Sequence, residues 1–129
     1  MTLIDRIKKH EGFVGTQYND SLGKPTIGYG TLLPLTEVEA ELLLRHRLEA
    51  KEREIMSLQP IYARLPYEKQ EIILEMCYQL GVQGVIRFRR MWAALEVEDY
   101  ETASFEGLDS VWAKQTPNRA NYLMDKMRA

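Results

Sequence analysis

Two carboxylates and one threonine near the amino end of the chain are the residue types that glycoside hydrolysis uses. Glu11 and Asp20 are separated by eight residues, and Asp20 and Thr26 by five. Cleavage of a glycosidic bond needs one carboxylic acid that protonates the leaving oxygen and one ionised carboxylate. The spacing alone leaves open whether the three side chains meet, since each residue also suits an ordinary structural role.

The position of Glu11 on a predicted helix favours the role of general acid. Ile7 and Ile4 precede Glu11 by four and seven residues, so that the three side chains share one helix face. We expect this face to be buried. Burial and the negative end of the helix dipole both favour the protonated form of a carboxyl group. The alternative is a surface glutamate whose carboxylate lies in water.

Asp20 and Thr26 lie in a region with a different local pattern. Asp20 belongs to the polar turn sequence Asn19–Gly23, where amide groups and water keep a carboxylate ionised. The alternative for Asp20 is plain turn chemistry. Thr26 begins the next strand after Pro25, and its hydroxyl either orients a water or merely occupies a strand position.

The helices and strands that carry these residues are predicted from the residues that typically begin and end such elements. Thr2 with Asp5 predicts the start of a first helix, and Gly12 its end. Residues 13–34 alternate strand formers with glycine-rich turns, which predicts an antiparallel hairpin with room for a third short strand. Thr36 with Glu39 forms a capping box that opens a long helix to about Met56.

The rest of the sequence is helical in pattern. Pro66 suits the first turn of a mostly apolar helix that ends at Leu80 before Gly81, and further helices are predicted over 84–97, 99–106, 109–114 and 117–127. The predicted class is α+β, within one domain of residues 1–129. It comprises a small β-hairpin lobe of about 13–56 and a helical lobe of 1–12 plus 57–129, joined by the long helix.

Composition narrows the function classes. A formal net charge of −2 argues against a nucleic-acid partner. The single Cys77 lies in an apolar run and is expected to be buried, while His10 and His46 are far apart, so we expect no metal and no cofactor. The amino terminus has no long apolar stretch, and we therefore expect neither a signal peptide nor a membrane anchor.

Three sequence blocks resemble the phage-type lysozymes, in a shortened form and over nearly the whole chain. Glu11, Asp20 and Thr26 match the Glu–Asp–Thr triad of that family. The blocks are Glu11-Gly12 with Tyr18-Asn19-Asp20, Gly23 and Thr26-Ile27-Gly28-Tyr29-Gly30; Tyr78-Gln79-Leu80-Gly81 with Gly84-Val85 and Phe88; and Trp112 with Gln115-Thr116-Pro117-Asn118-Arg119-Ala120.

The resemblance implies a lysozyme-like fold and an endolysin that hydrolyses the β-1,4 bond between N-acetylmuramic acid and N-acetylglucosamine in bacterial peptidoglycan. It implies inversion, with Glu11 as the acid and Asp20 and Thr26 positioning a water. The same likeness assigns substrate contacts and supporting roles to a second set of residues: Leu32, Tyr78 and Gln79 as contacts, Gly30 as a support, and Arg119 as a partner of Glu11.

The sequence also departs from the family pattern. A segment between Leu33 and Thr36 is shorter, which predicts a reduced small lobe. Thr31 and Arg47 replace a histidine and its aspartate partner, so that stabilising ion pair is absent. Met91 and Glu106 stand at two positions where a relative has substrate-contacting serine and asparagine, so no contact is assigned to them.

Several alternatives stay open. A lytic transglycosylase cleaves the same bond without a second carboxylate, so Asp20 and Thr26 favour hydrolysis; an inactive wall-binding module is the third hypothesis. The group Arg87, Arg89 and Arg90 is either a solvated face or a contact for wall carboxylates, and Trp112 is expected in the core. We expect a cytoplasmic monomer that needs a holin-like partner to reach peptidoglycan.

Overall fold

The computed structural model describes all 129 residues, Met1–Ala129. It confirms the α+β class, with eight α-helices and one small sheet. In chain order the elements are α1 Leu3–Glu11, β1 Val14–Asn19, β2 Pro25–Gly28, β3 Thr31–Leu32, α2 Glu37–Leu58, a 3₁₀ helix Pro60–Arg64, α3 Tyr67–Leu80, α4 Val82–Ile86, α5 Arg89–Glu96, α6 Tyr100–Leu108, α7 Val111–Gln115 and α8 Pro117–Arg128. None of these helices is both long and apolar enough to cross a membrane.

The predicted N-cap Thr2 and the predicted capping box at Thr36 are present, and Thr2 also forms a capping box. The Thr2 amide donates to Asp5 and the Asp5 amide to the Thr2 hydroxyl, at 3.2 and 3.1 Å. Thr36 and Glu39 exchange the same pair of hydrogen bonds at 2.9 and 3.2 Å. The backbone N–H and then the hydroxyl of each threonine lower the pKa of Asp5 and of Glu39. The helix that Thr36 opens runs unbroken to Leu58, as predicted.

The strands form one antiparallel sheet in the order β1-β2-β3. Tyr18 and Leu32 lie on either side of Thr26, which is in the central strand. The predicted hairpin over 13–34 and its third strand are therefore confirmed. Since paired residues of neighbouring strands present their side chains to the same face, Thr26 shares a face with both neighbours.

The chain divides into two compact units, Met1–Leu43 and Leu44–Ala129, and the boundary falls within α2. In this division α1 groups with the sheet, whereas the sequence had led us to assign residues 1–12 to the helical lobe. We refer to the two parts as the sheet unit and the helical unit.

The sheet unit has almost no core. Among residues 1–43 only Thr26 is buried. The prediction that the Ile4 and Ile7 face of α1 is buried is wrong: Ile7 is 42% exposed and Ile4 more so. The physical reason is size, because strands of six, four and two residues present too small a surface to cover a helix face.

The helical unit holds the hydrophobic core. Its central helix α3 buries Ile72, Ile73, Met76 and Cys77, as the apolar pattern predicted. Burial raises the pKa of the Cys77 thiol to about 12. Such a thiol stays protonated and unreactive at neutral pH. Trp112 is also buried, which confirms its expected place in the core.

The structure has two helices where the sequence predicted one. The segment expected to be helical over 84–97 is broken at Arg87 and Phe88, between α4 and α5. Phe88 has a non-helical ψ of 60°, and its ring meets Trp112 edge-on with the centroids 6.0 Å apart. Because of this break, the Phe88 ring packs against the core. A continuous helix would place that ring elsewhere.

A buried lysine ties α3 to the last helix. Lys69 is only 4% exposed. Its ammonium donates to the carbonyl oxygens of Lys126 and Ala129 at 2.7 and 2.9 Å and lies 5.1 Å from the centre of the Tyr100 ring. Desolvation lowers the pKa of Lys69, and the hydrogen bonds supply the partners that a buried cation requires.

Helices α6 and α8 approach closely at Gly107. A Cβ added at Gly107 would lie 2.3 Å from the sulfur of Met124. We predict that Gly107→Ala lowers the free energy of unfolding by about 1–3 kcal/mol, the usual cost of overpacking a core. Urea denaturation followed by circular dichroism measures the change. In a Met124→Ala background the same substitution should cost much less, and equal costs in both backgrounds would contradict the steric explanation.

Candidate active site

Glu11 lies at the end of α1, against the turn that joins β2 and β3. Gly12 adopts a positive φ of 70° after it and ends the helix. A Cβ added at Gly30 would lie 2.6 Å from Oε2 of Glu11 and 2.8 Å from its Cδ. The carboxyl group therefore lies against Gly30, where an added methyl group would force the Glu11 side chain to move. The Glu11 residue as a whole is exposed.

An aromatic contact holds this part of the unit together. The rings of Phe13 and Tyr29 have centroids 5.5 Å apart, and the ammonium of Lys8 lies 5.6 Å from the centre of the Tyr29 ring. Residues next to Glu11 are thereby joined to residues next to Gly30. Sequence reasoning missed Lys8 and Phe13 and named Tyr29 only as part of a family block; the available signal was the position of Tyr29 between Gly28 and Gly30.

Asp20 is held by the turn between β1 and β2. Its Oδ1 accepts the backbone N–H groups of Leu22 and Lys24 at 2.9 and 2.8 Å, and its own amide donates to the Lys24 carbonyl. Asp20 is half-buried. The second carboxylate oxygen, Oδ2, has no hydrogen-bond partner in the protein. One oxygen thus maintains the turn, and the other is available to a ligand.

Thr26 is the buried residue between these two carboxylates along the sheet. It is 1% exposed, and its hydroxyl donates to the Lys24 carbonyl at 2.8 Å. The hydroxyl proton is therefore already used, and any further partner has to donate to the Thr26 oxygen. Leu32, directly opposite Thr26, is 53% exposed.

The strand register gives the spacing of the site. Asp20 is level with Lys24, and Gly30 lies one residue beyond the Ile27–Thr31 pair, so the row of Gly30 is the fourth after the row of Asp20. At about 3.3 Å per row this is roughly 13 Å along the strand, with Thr26 on the middle row. The two carboxylates thus approach the same strand from opposite ends.

The remaining site residues predicted from sequence lie in the helical unit, and two of them have partners there. Gln79 accepts a hydrogen bond from the Trp112 indole at 2.9 Å and donates to the Thr116 hydroxyl at 3.2 Å. Its amide thus joins α3 to α7 and to the start of α8. Arg119 is paired with Glu75 at 2.9 Å. Tyr78 is 45% exposed. The substrate contacts and the Glu11–Arg119 pair implied by the resemblance stay predictions.

Gly30 offers a direct test of the Glu11 geometry. We predict that Gly30→Ala lowers the rate of the glycoside hydrolysis expected from the sequence by about 10-fold or more, because the new methyl group displaces the Glu11 carboxyl from its position. The φ of 74° adds backbone strain. Initial rates of reducing-sugar release measure the effect. Gly81→Ala is the control: Gly81, in the helical unit, has a φ of 80° but no atom within 4 Å of the added Cβ, so it carries the strain without the clash. Equal rates for the two variants would contradict the proposed contact.

Comparison with known proteins gives a consistent set of similarities. The model of the phage lysozyme family matches residues 8–128. The chain is 28% identical to the pre-baseplate central spike protein Gp5 of Enterobacteria phage T4, over 94% of this chain but only 26% of that protein. It is 28% and 26% identical to probable T4-type lysozymes 1 and 2 of Dictyostelium discoideum, over 93% of this chain and 89% of each relative. The chain therefore spans about a quarter of the spike protein and most of the other two.

Proposed function

This chain belongs to the phage lysozyme family, and we propose on that basis that it is a muramidase. The reaction would be hydrolysis of the β-1,4 bond between N-acetylmuramic acid and N-acetylglucosamine in bacterial peptidoglycan, in the service of cell-wall lysis. The observation that carries this proposal is the pair of carboxylates along β2, with Glu11 against Gly30 and Asp20 in the opposite turn. One acid and one carboxylate are the two groups that glycoside hydrolysis requires.

We propose that Glu11 donates its proton to the leaving glycosidic oxygen as the bond to the anomeric carbon breaks. The free Oδ2 of Asp20 would accept a proton from a water, and the Thr26 oxygen would accept the second hydrogen bond of that water. The water then attacks the anomeric carbon from the face opposite the leaving group, and its proton passes to Asp20. Because Glu11 is exposed in the free protein, the bound glycan itself would have to exclude water from this acid.

The product distinguishes hydrolysis from the alternative reaction. A lytic transglycosylase would leave a 1,6-anhydro sugar, which is lighter by one water than the reducing end that hydrolysis creates. Mass spectrometry of digested peptidoglycan should show reducing ends only. The presence of Asp20 with an unpartnered oxygen supports hydrolysis, since the intramolecular reaction needs no second carboxylate. Anhydro ends as the main product would contradict the proposal.

Stereochemistry tests the role of the water. An inverting site holds a water between carboxylate and sugar and needs its carboxyl groups about 6.5–9.5 Å apart, against about 5–5.5 Å for a retaining site. The Thr26 oxygen, which can accept a hydrogen bond from a water, supports the inverting arrangement. We predict that the first product is the α-anomer. Proton NMR of freshly cut oligosaccharide measures this before the anomers equilibrate; an initial β-anomer would show that Asp20 acts as a nucleophile instead.

A further inference from the structure

Lys8 lies one helical turn before Glu11 on α1, where an ion pair between the two side chains is expected. Side chains three residues apart on a helix are neighbours, with Cβ atoms about 5–6 Å apart. The two groups nevertheless form no ion pair, and the Glu11 carboxylate accepts no hydrogen bond. The Lys8 ammonium lies instead 5.6 Å from the centre of the Tyr29 ring. The ring thus holds a cation that could otherwise reach the candidate acid.

The Phe13 ring packs against the Tyr29 ring and joins it to β1. The two ring planes make an angle of 51°, and their centroids are 5.5 Å apart. Phe13 in turn lies against Gly15 of β1, where an added Cβ would be 3.3 Å from the ring. Tyr29 also precedes Gly30, against which the Glu11 carboxyl lies. The ring that binds the lysine is therefore held next to the acid by contacts within the sheet unit.

The candidate acid has to be protonated to act, and the position of Lys8 bears on this. The sequence predicted that burial would favour the protonated form of Glu11, but the residue is exposed. An adjacent ammonium group favours the ionised form of a carboxyl group and would oppose the acid role. A cation–π contact at an exposed site is worth at least as much as an exposed ion pair on a helix. The Tyr29 ring can therefore compete with Glu11 for Lys8.

Lys8 is the cation that α1 places nearest to Glu11. Lys9 and His10 also lie in the last turn of the helix, but side chains one or two residues apart on a helix do not face each other. The turn between β2 and β3, against which Glu11 lies, contributes a single titratable residue, Tyr29. The charge state of the acid therefore depends, within these two elements, on where the Lys8 ammonium lies.

We propose that Tyr29 is a positioning residue for the candidate acid: its ring binds the Lys8 ammonium and thereby keeps it from pairing with Glu11. This inference rests on the proposed function, because a general acid has to hold a proton. Tyr29 acts through Lys8 and takes no part in the proton transfer. Asp5, the other acidic residue within one turn of Lys8, is held in the capping box with Thr2. Glu11 is therefore the partner left for a lysine that the ring releases.

Titration of the Glu11 carboxyl tests the proposal without a catalytic assay. The full chain is labelled with ¹³C at the glutamate side-chain carboxyl, and the Glu11 signal is assigned by its absence from Glu11→Gln. Tyr29→Leu should lower the midpoint of the Glu11 titration by about half a pH unit, the size that an exposed ion pair supports. Tyr29→Phe keeps the ring and should titrate like the wild type. In Lys8→Gln/Tyr29→Leu the cation is gone, and the midpoint should return to the wild-type value.

A second lysine–tyrosine contact provides the matched control. In α8 the Lys126 ammonium lies 5.2 Å from the centre of the Tyr122 ring, and Tyr122 is exposed. Tyr122→Leu therefore removes the same kind of contact in the helical unit and should leave the Glu11 titration unchanged. Equal midpoints for Tyr29→Leu and Tyr122→Leu would overturn the proposal. So would an undiminished shift in Lys8→Gln/Tyr29→Leu, since that shift would not act through Lys8.

One measurement needs no substitution at Tyr29. In the wild type, the ring current of Tyr29 should shift the protons on the carbon that carries the Lys8 ammonium upfield in the NMR spectrum. Ordinary shifts for these protons would overturn the proposal, whether or not Tyr29→Leu folds.

Rates on peptidoglycan separate this inference from the proposed function. The pH above which kcat/KM declines reports the acid of the free enzyme. This pH should fall in Tyr29→Leu by about the same amount as the titration midpoint and return in the double variant; Asp20 and Arg119 are the same in all of these proteins. A titration shift without glycan cleavage would refute the muramidase and leave the role of Tyr29 standing. Cleavage without a titration shift would refute the role of Tyr29 alone.

Discussion

Glu11→Gln should lower the rate of peptidoglycan hydrolysis by about 10³-fold or more, since acid catalysis by one side chain typically contributes 10²–10⁴-fold. Glutamine has the size of glutamate and still fits against Gly30, but it has no acidic proton to give to the glycosidic oxygen. Glu11 is exposed and makes no hydrogen bond in the protein, so the substitution should leave the thermal unfolding midpoint unchanged. Reducing-sugar release and circular dichroism measure the two quantities.

A matched variant tests whether the loss of any exposed carboxylate would lower the activity. Glu37→Gln removes another exposed carboxylate of the sheet unit, at the start of α2, and should retain wild-type activity. A turbidity assay on cell walls then distinguishes an enzyme from an inactive wall-binding module. An enzyme clears the suspension and loses this activity with Glu11→Gln, whereas an inactive module does not clear the suspension with or without the substitution. Full activity of Glu11→Gln would exclude Glu11 as the acid.

Asp20→Asn is expected to have the second largest effect, a loss of about 10²–10³-fold in kcat. An asparagine oxygen can replace Oδ1 and accept the N–H groups of Leu22 and Lys24, so the turn persists. The amide nitrogen that replaces Oδ2 cannot accept a proton from water. The variant should therefore fold as the wild type does and fail at the chemical step, with KM little changed.

Asp20→Ala provides the comparison for the turn. It removes both hydrogen bonds as well as the charge, and we expect a decrease in the free energy of unfolding of about 1–2 kcal/mol in addition to the loss of activity. Urea denaturation of the two variants separates the roles of the two oxygens. If Asp20→Asn were as active as the wild type, the carboxylate would serve the turn only.

Local interactions explain what could be predicted from the sequence. Each capping box joins residues three apart, so Thr2–Asp5 and Thr36–Glu39 define their helix starts whatever the rest of the chain does. The hairpin follows in the same way from strand formers and turn residues. The triad itself was accessible through its resemblance to one family, not through spacing, which left the meeting of the three side chains open.

Contacts between distant residues explain what was missed. The exposure of Ile7 depends on how much surface the small sheet can offer, and the break at Phe88 depends on where Trp112 lies. The sequence contained no sign that Gln79 bonds to Trp112 and Thr116, which are more than thirty residues away. No local pattern encodes such a partner, because it depends on which elements pack together.

The same division applies to the candidate site. The sequence by itself determined the class of fold and the family and gave Glu11, Asp20 and Thr26 as the candidate site residues, because caps, turns and motifs are short-range features. Only the tertiary structure decided that Glu11 lies against Gly30 and that Gln79 joins α3 to α7 and to the start of α8. These are through-space contacts, fixed by packing between elements rather than by the order of residues along the chain.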